Sequence, residues 1–561
     1  MKKQKYLILL LGMVLTFTNS CDILEPEDNN TYELDDVLGV MTFAEGFLIN
    51  AYRNIPASHQ TFTTDYGSDD AVNNDANSNI KTVVDGGWTS AVNPFSTWNT
   101  AYESIFYLNT FFNSIDQVVW DPRDQDNNKA FADKLRGEAF ALRAWNYFNL
   151  LQAHAGLGTN GEMLGVPIVR EVLELDASEY SVPRSSFNEL VAFILEDCEE
   201  ALLLLPSRWE GTDIAVGERN TNRINGLVAQ LIKTKTLLYA ASPAYSDGTY
   251  TYEMAAQAAA DFMDANNGLT GFSGTKTKFY NEIIVTAFKN RHKEVIWYSA
   301  RATNQNSWED TNYAPSVFGE GLTNPSQNLI DAFPMEDGNP VTTAKINSND
   351  PYTDRDPRLD LFIMYNGSAY KGGTLNTTQG SRDALGSQDP NATITGYYLK
   401  KFLNTTIVNV DPDINSGGTR YFTYARYTDV LLMYAEAANE VGGPDANIGG
   451  YTAREIVNAI RTRAKITATT YVDGLNKEQM AALIRNERRL EMCFEKQRFW
   501  DLRRWNMVSE MNVPIKGVEV SVDGTLNYVE VENRNYGSHQ IYGPIPFSET
   551  LKYDMVQNQG W

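Results

Sequence analysis

Residues 476–505 read NKEQMAALIRNERRLEMCFEKQRFWDLRRW, and their reading decides the class of fold. Asn476, followed three places on by Gln479, is the capping-box signature of a helix start, since each side chain can satisfy a backbone N–H of the first turn. A helix is expected from Asn476 to Phe494. Glu487, Arg488, Glu491, Arg498, Asp501 and Arg503 place opposite charges along that helix and its continuation, able to pair locally or with neighbouring helices. Phe499, Trp500 and Trp505 are expected in a core.

Outward from this stretch the same periodicity recurs. In RGEAFALRAWNYFNLLQ, Phe140, Ala144, Tyr147, Phe148 and Leu151 fall on one helical face. Further amphipathic segments run over 187–205 and 225–241, each stopping where proline forbids continuation, and over 427–441, stopping at Gly442, Gly443 and Pro444. Paired helices of this kind suggest stacked helix-turn-helix units, although no clean repeat of about 34 residues stands out. Between the helical blocks lie polar stretches at 58–94, 300–325 and 365–397, long enough that a functional role is expected of them.

The composition excludes several functions. With 47 Lys plus Arg against 71 Asp plus Glu, the net charge of −24 repels phosphate backbones, so no nucleic-acid partner is expected. Three cysteines, Cys21, Cys198 and Cys493, cannot build a disulfide framework; the last two read as buried free thiols. His59, His154, His292 and His539 lack metal-ligand spacing and accompany no nucleophile motif. Residues 271–277 (GFSGTKT) lack the Walker glycine. Asp411, Asp413, Asn415 and Gly417 echo a calcium loop, with glycine one place late and Phe422 where the bidentate Glu belongs. No cofactor is expected, and a structural calcium is left open.

The N-terminus carries an address. Lys2, Lys3 and Lys5 precede a short apolar run at 6–17, as in a secretory signal peptide over 1–20. Thr18, Asn19 and Ser20 then lead to Cys21, an arrangement resembling the lipobox of bacterial lipoproteins, although the usual leucine three places before the cysteine is replaced by Thr18. Lipidation at Cys21 is expected. From residue 22 to 52 there are eight acidic residues and no Lys or Arg, a solvated acidic tether.

Candidate ligand contacts lie among the loop aromatics. Trp88 and Trp308 are expected as stacking platforms and Tyr66 and Tyr313 as flanking rings. Asp69, Asp70, Arg301 and Asn304 are expected to supply hydrogen bonds. A flat ring covers the C–H face of a pyranose while planar polar groups take its hydroxyls. Trp98 more naturally begins a scaffold helix. Paired carboxylates such as Asp69 and Asp70 also keep a surface glycoside hydrolase in view.

Several segments together resemble the SusD/RagB family of outer-membrane nutrient-binding lipoproteins: LRAWNYFNLLQAHAG (142–156) with GVPIV (165–169), RINGLVAQLIKTKTLLYAASP (223–243), PSQNLIDAFPMEDGNPV (325–341), DRDPRL (354–359), TGYYLKKFL (395–403) and ARYTDVLLMYAEAANE (425–440). IRNERRLEMCFEKQRFWDLRRW (484–505), YGPIPFSE (542–549) and QNQGW (557–561) complete the pattern. The resemblance implies a mainly α fold, a scaffold of four tetratricopeptide-like units packed against a loop-rich ligand-binding region with few short strands. It divides the chain into a signal (1–20), a lipidated tether with the first helix (21–56), an N-terminal region (57–270) and a C-terminal region (271–561) packed as one unit. It also implies no catalysis, a glycan ligand, and a SusC-like TonB-dependent outer-membrane transporter as partner, with the protein lipid-anchored in the outer membrane and facing outward. Peptide capture on the same machinery, and a helical adaptor binding only protein, remain as alternatives.

Overall fold

The computed structural model describes residues 38–58, 60–173, 181–272, 294–300, 302–305, 307–342, 350–370, 373–403 and 418–561. The signal, Cys21, Asp22–Asp36 of the tether, and the Asp411–Gly417 turn lie outside the described residues.

The scaffold helices, in chain order, are α1 (Met41–Arg53), α2 (Trp98–Ser114), α3 (Gln125–His154), α4 (Phe187–Leu204), α5 (Gly226–Ala241), α6 (Tyr252–Ala265), α7 (Tyr427–Gly442), α8 (Ala453–Arg463), α9 (Lys477–Glu491) and α10 (Arg498–Arg504). Their starts follow from the sequence. Asp124 caps α3, Ser186 and Glu189 form a capping box on α4, Asn225 caps α5, and Asn476 and Gln479 form the expected box on α9. Gly443, at φ 87°, ends α7 where an L side chain would be strained.

Each of α1 to α7 touches the next, and α7 touches α8 and α9, the nearest-neighbour stacking of a helical solenoid. In α5 every side chain but that of Lys233 is buried, and α7 is buried continuously from Tyr427 to Asn439; helices apolar all round belong at the centre. The chain leaves the stack after α6 and returns at α7, which packs on α6. That excursion is the loop-rich part. It starts and ends on a clasp between two antiparallel strands, Val295–Tyr298 and Thr423–Arg426.

Among the described residues strands pair only two by two. Numbered along the chain they include β1 (Ala71–Asn73) with β4 (Thr323–Pro325), β2 (Val295–Tyr298) with β6 (Thr423–Arg426), β3 (Ala302–Gln305) with β5 (Gly418–Arg420), and the hairpin β7 (Ile515–Val520) with β8 (Leu526–Glu532). No described helix is long and apolar enough to cross a membrane.

The interior holds an unusual amount of charge. Arg358, fully buried, reaches Asp356 Oδ2 at 2.6 Å, Glu487 Oε2 at 2.8 Å and Glu491 Oε2 at 3.2 Å. Arg426 reaches Glu294 at 3.1 Å, Glu491 at 3.2 Å and Glu495 at 2.7 Å, and Arg463 binds Glu491 as well. Arg488 bridges Asp429 and Asp501, both at 2.7 Å, and Arg504 joins Asp501 to Glu436. Burial alone would raise the Glu491 carboxyl, but Arg463, Arg426 and Arg358 hold it well below the usual carboxylate range.

This network ends α9 early. The helix stops at Glu491 rather than Phe494, because Lys401 Nζ takes the carbonyls of Glu491 and Cys493, both at 2.9 Å, and Arg426 Nη2 takes that of Glu491 at 2.8 Å. The C-terminal carbonyls a helix leaves open are thus satisfied by cations. Phe494 and Lys496 then turn the chain in left-handed conformations, at φ 59° and 63°, and α10 begins.

Removing one member of a buried ion cluster leaves the others desolvated and unpaired, at a cost of about 3–5 kcal/mol. Glu491→Ala is therefore expected to lower the unfolding free energy by about that amount in denaturant titration, against about 1 kcal/mol for the exposed cap change Asn476→Ala. Equal effects would show that the cluster carries no special weight.

Candidate ligand-binding cleft

A cavity of about 370 Å³ opens beside the turn between α9 and α10. Helix α3 supplies Trp145, Asn149 and Gln152 from one face, at spacings of four and three residues, together with Phe148. Phe422 and Tyr424 enter from the strand side, two residues apart and hence on the same face. Glu495, Lys496 and Gln497 come from the turn, and Trp500 from α10. Residues 94–97 close the rim.

The aromatic wall is braced from behind. Buried Trp297 meets Trp145 edge-on at 5.3 Å between centroids and lies 4.5 Å from Tyr424, whose ring is in turn 5.2 Å from Phe422. Trp145, Phe422 and Tyr424 all remain partly exposed. Burial pushes the Tyr424 hydroxyl up to about 12, so it stays a neutral donor.

Several polar groups on this wall lack a partner. The hydroxyl of Thr64 is buried without a hydrogen bond, and the side chains of Asn149 and Thr423 have none among the described residues. Rings and unfilled polar groups converging on one cavity are what a small-molecule or oligomer site requires. The two carboxylates on the lining, by contrast, are committed: Asp429 to Lys235 at 2.8 Å and to Arg488, and Glu495 to Lys401 and Arg426. Burial would raise both, yet their cations hold both below the usual range.

The residues expected from the sequence lie elsewhere. Trp88 is 3% exposed; its ring packs edge-on against Phe95 at 5.1 Å and Trp561 at 4.9 Å, and its indole N–H donates to Asn93. It is a core residue and offers no face for stacking. Trp308 and Tyr313 are likewise buried, and Tyr66 is buried with its hydroxyl 2.7 Å from that of Thr323. Asp69 and Asp70 are spent on scaffold charges: Asp69 pairs with Arg489 and Arg498, each at 2.8 Å, and Asp70 with Arg489 at 2.6 Å. This corrects their reading as ligand contacts, and it also removes them as a hydrolytic pair. Arg301 lies outside the described residues, and Asn304 is described only as backbone in β3.

The cleft residues missed were Trp145, Phe422, Tyr424 and Lys496. For Trp145 a signal existed: with Asn149 and Gln152 it forms a second, aromatic and polar face on a helix whose apolar face points to the core. Trp500, expected in the core, borders the cleft with 8% exposure.

Two family models match this chain, one described as the SusD family over residues 293–561 and one described as starch-binding associating with outer membrane over residues 24–221. The chain belongs to the SusD/RagB family. It is 24% identical over 547 residues to the SusD-like protein P38 of Formosa agariphila, covering 92% of this chain and 95% of that one. Among solved structures it resembles a SusD-like protein of Bacteroides fragilis, with TM-score 0.76 and 24% identity over 96% of this chain and all of the other. A SusD-like carbohydrate binding protein of the same organism matches at TM-score 0.72 and 21% identity, over 92% of this chain and 99% of that one. At these identities the structures speak to the fold alone.

Behind the cleft floor sits Asp65, whose two carboxyl oxygens are buried without a hydrogen bond. Burial, and then the charge of Asp70, hold it up to about 8 from an ordinary 3.8. The folded protein keeps a proton that the unfolded chain gives up, so this group removes stability as pH rises from 3.8 toward 8. Asp65→Asn, neutral throughout, is expected to melt above the parent at pH 8, with the gap closing toward pH 5. A gap independent of pH would contradict a protonated Asp65.

Proposed function

We propose that this protein is an exported, lipid-anchored binding protein that captures glycans in the α3–Lys496 cleft. It then delivers them to a SusC-like TonB-dependent outer-membrane transporter. The observation carrying the reading is the braced wall of Trp145, Tyr424 and Phe422 beside Asn149 and Thr423, whose side chains have no partner among the described residues, since stacked rings with free hydrogen-bonding groups suit a pyranose. The family description of starch binding with outer-membrane association supports it.

The state of the carboxylates supports a reading of binding without catalysis. A glycosidase needs one acid held protonated beside a second carboxylate. Asp429 and Glu495 are both ion-paired and depressed, while the raised Asp65 has its oxygens sealed from solvent.

Calorimetry of the protein beginning just after Cys21, against oligosaccharides and peptides, tests the reading. Trp145→Ala is expected to weaken glycan binding at least tenfold, about 1.4 kcal/mol, with no reducing sugar released by the parent. Trp88→Phe should leave affinity unchanged. Peptides binding in place of glycans would move the substrate class and keep the cleft.

A further inference from the structure

The charges around the cleft do not balance. Its lining carries Lys235, Arg426 and Lys496 against Asp429 and Glu495. Lys235 and Arg426 are each within 3.2 Å of carboxylates. Lys496 is different: among the described residues no carboxylate oxygen comes within ion-pair distance of its ammonium. Its Nζ donates to the Ser58 carbonyl at 3.3 Å and sits 5.3 Å from the centroid of the Phe422 ring, part of the aromatic wall. An ammonium has three donors, and one is taken.

The position is also held at some cost to the backbone. Lys496 has φ 63°, a left-handed conformation that glycine or asparagine would adopt more readily. A strained, half-buried cation without a counter-ion is unusual unless something else neutralises it. Burial lowers the Lys496 ammonium, and among the described residues the charge drawing it back up is that of Asp65, itself held largely neutral near pH 7.

We infer that the cleft selects a sugar bearing an acid group, a uronate carboxylate or a sulfate ester, which docks on the Lys496 ammonium while the ring lies on the aromatic wall. This rests on the glycan reading and narrows it. The protein's net charge of −24 does not forbid such a ligand, because charges more than about 8 Å away are largely screened at physiological salt. A neutral sugar would leave the cation as it stands, desolvated further and still unpaired, which disfavours it.

The test is calorimetry on the parent protein with matched pairs: oligogalacturonate and its carboxyl-reduced form, and a sulfated galactan oligosaccharide and its desulfated form. Neutral gluco-, manno- and xylo-oligosaccharides run alongside. The expected result is binding of an acidic member that falls about tenfold or more on neutralisation. The pair that responds identifies carboxylate or sulfate. Lys496→Met should lose a similar factor for the acidic member and little for its neutral partner. A neutral glycan that binds as tightly as any acidic one, a pair whose members bind alike, or equal losses for both members in Lys496→Met would overturn the inference and leave glycan capture standing. No binding to any glycan would overturn both.

Discussion

The structure turns on the carboxylate of Glu491. It sits at the last turn of α9 among Arg358, Arg426 and Arg463, drawn from three separate segments. Charges buried this deeply contribute little net stability compared with a well-packed apolar core, but they are unforgiving of misplacement. Their value lies in fixing register: the loop-rich excursion must return to the solenoid with Arg426 in place, or Glu294, Glu491 and Glu495 lose the cation they share.

From that constraint the cleft follows. Because Lys401 and Arg426 occupy the carbonyls at the end of α9, the chain cannot continue as helix and turns through Phe494 and Lys496. The turn delivers Lys496 and Gln497 to one side of the cavity and Trp500 to its border. The β2–β6 clasp carries Arg426 at its end, and brings Tyr424 onto the same Trp297-braced wall as Trp145 of α3. Scaffold and site are therefore not separable parts. The charges that lock the helices also aim the groups that line the cleft.

How much of this was legible depends on the range of the interaction. The start of α9 was readable because caps are local: Asn476 and Gln479 act within four residues. The charged pattern of α9 was readable as pairing, but its partners were not, since Arg358 lies 129 residues from Glu487 in sequence. Loop polarity misled in the same way. Trp88 and Trp308 stand among polar neighbours in sequence, yet burial is decided by what the fold brings against them, and Trp561 and Phe95 enclose Trp88. Asp69 and Asp70 looked available because Arg489 and Arg498 are more than 400 residues away. Trp145 was passed over because its helix was read for a single face.

The most direct measurement is a crystal structure of the protein with a bound oligosaccharide. A sugar ring is expected against Trp145 and Tyr424, with polar contacts to Asn149 or Thr423. Density instead over the segment holding Trp308 and Tyr313, with the α3–Lys496 cleft empty, would contradict it.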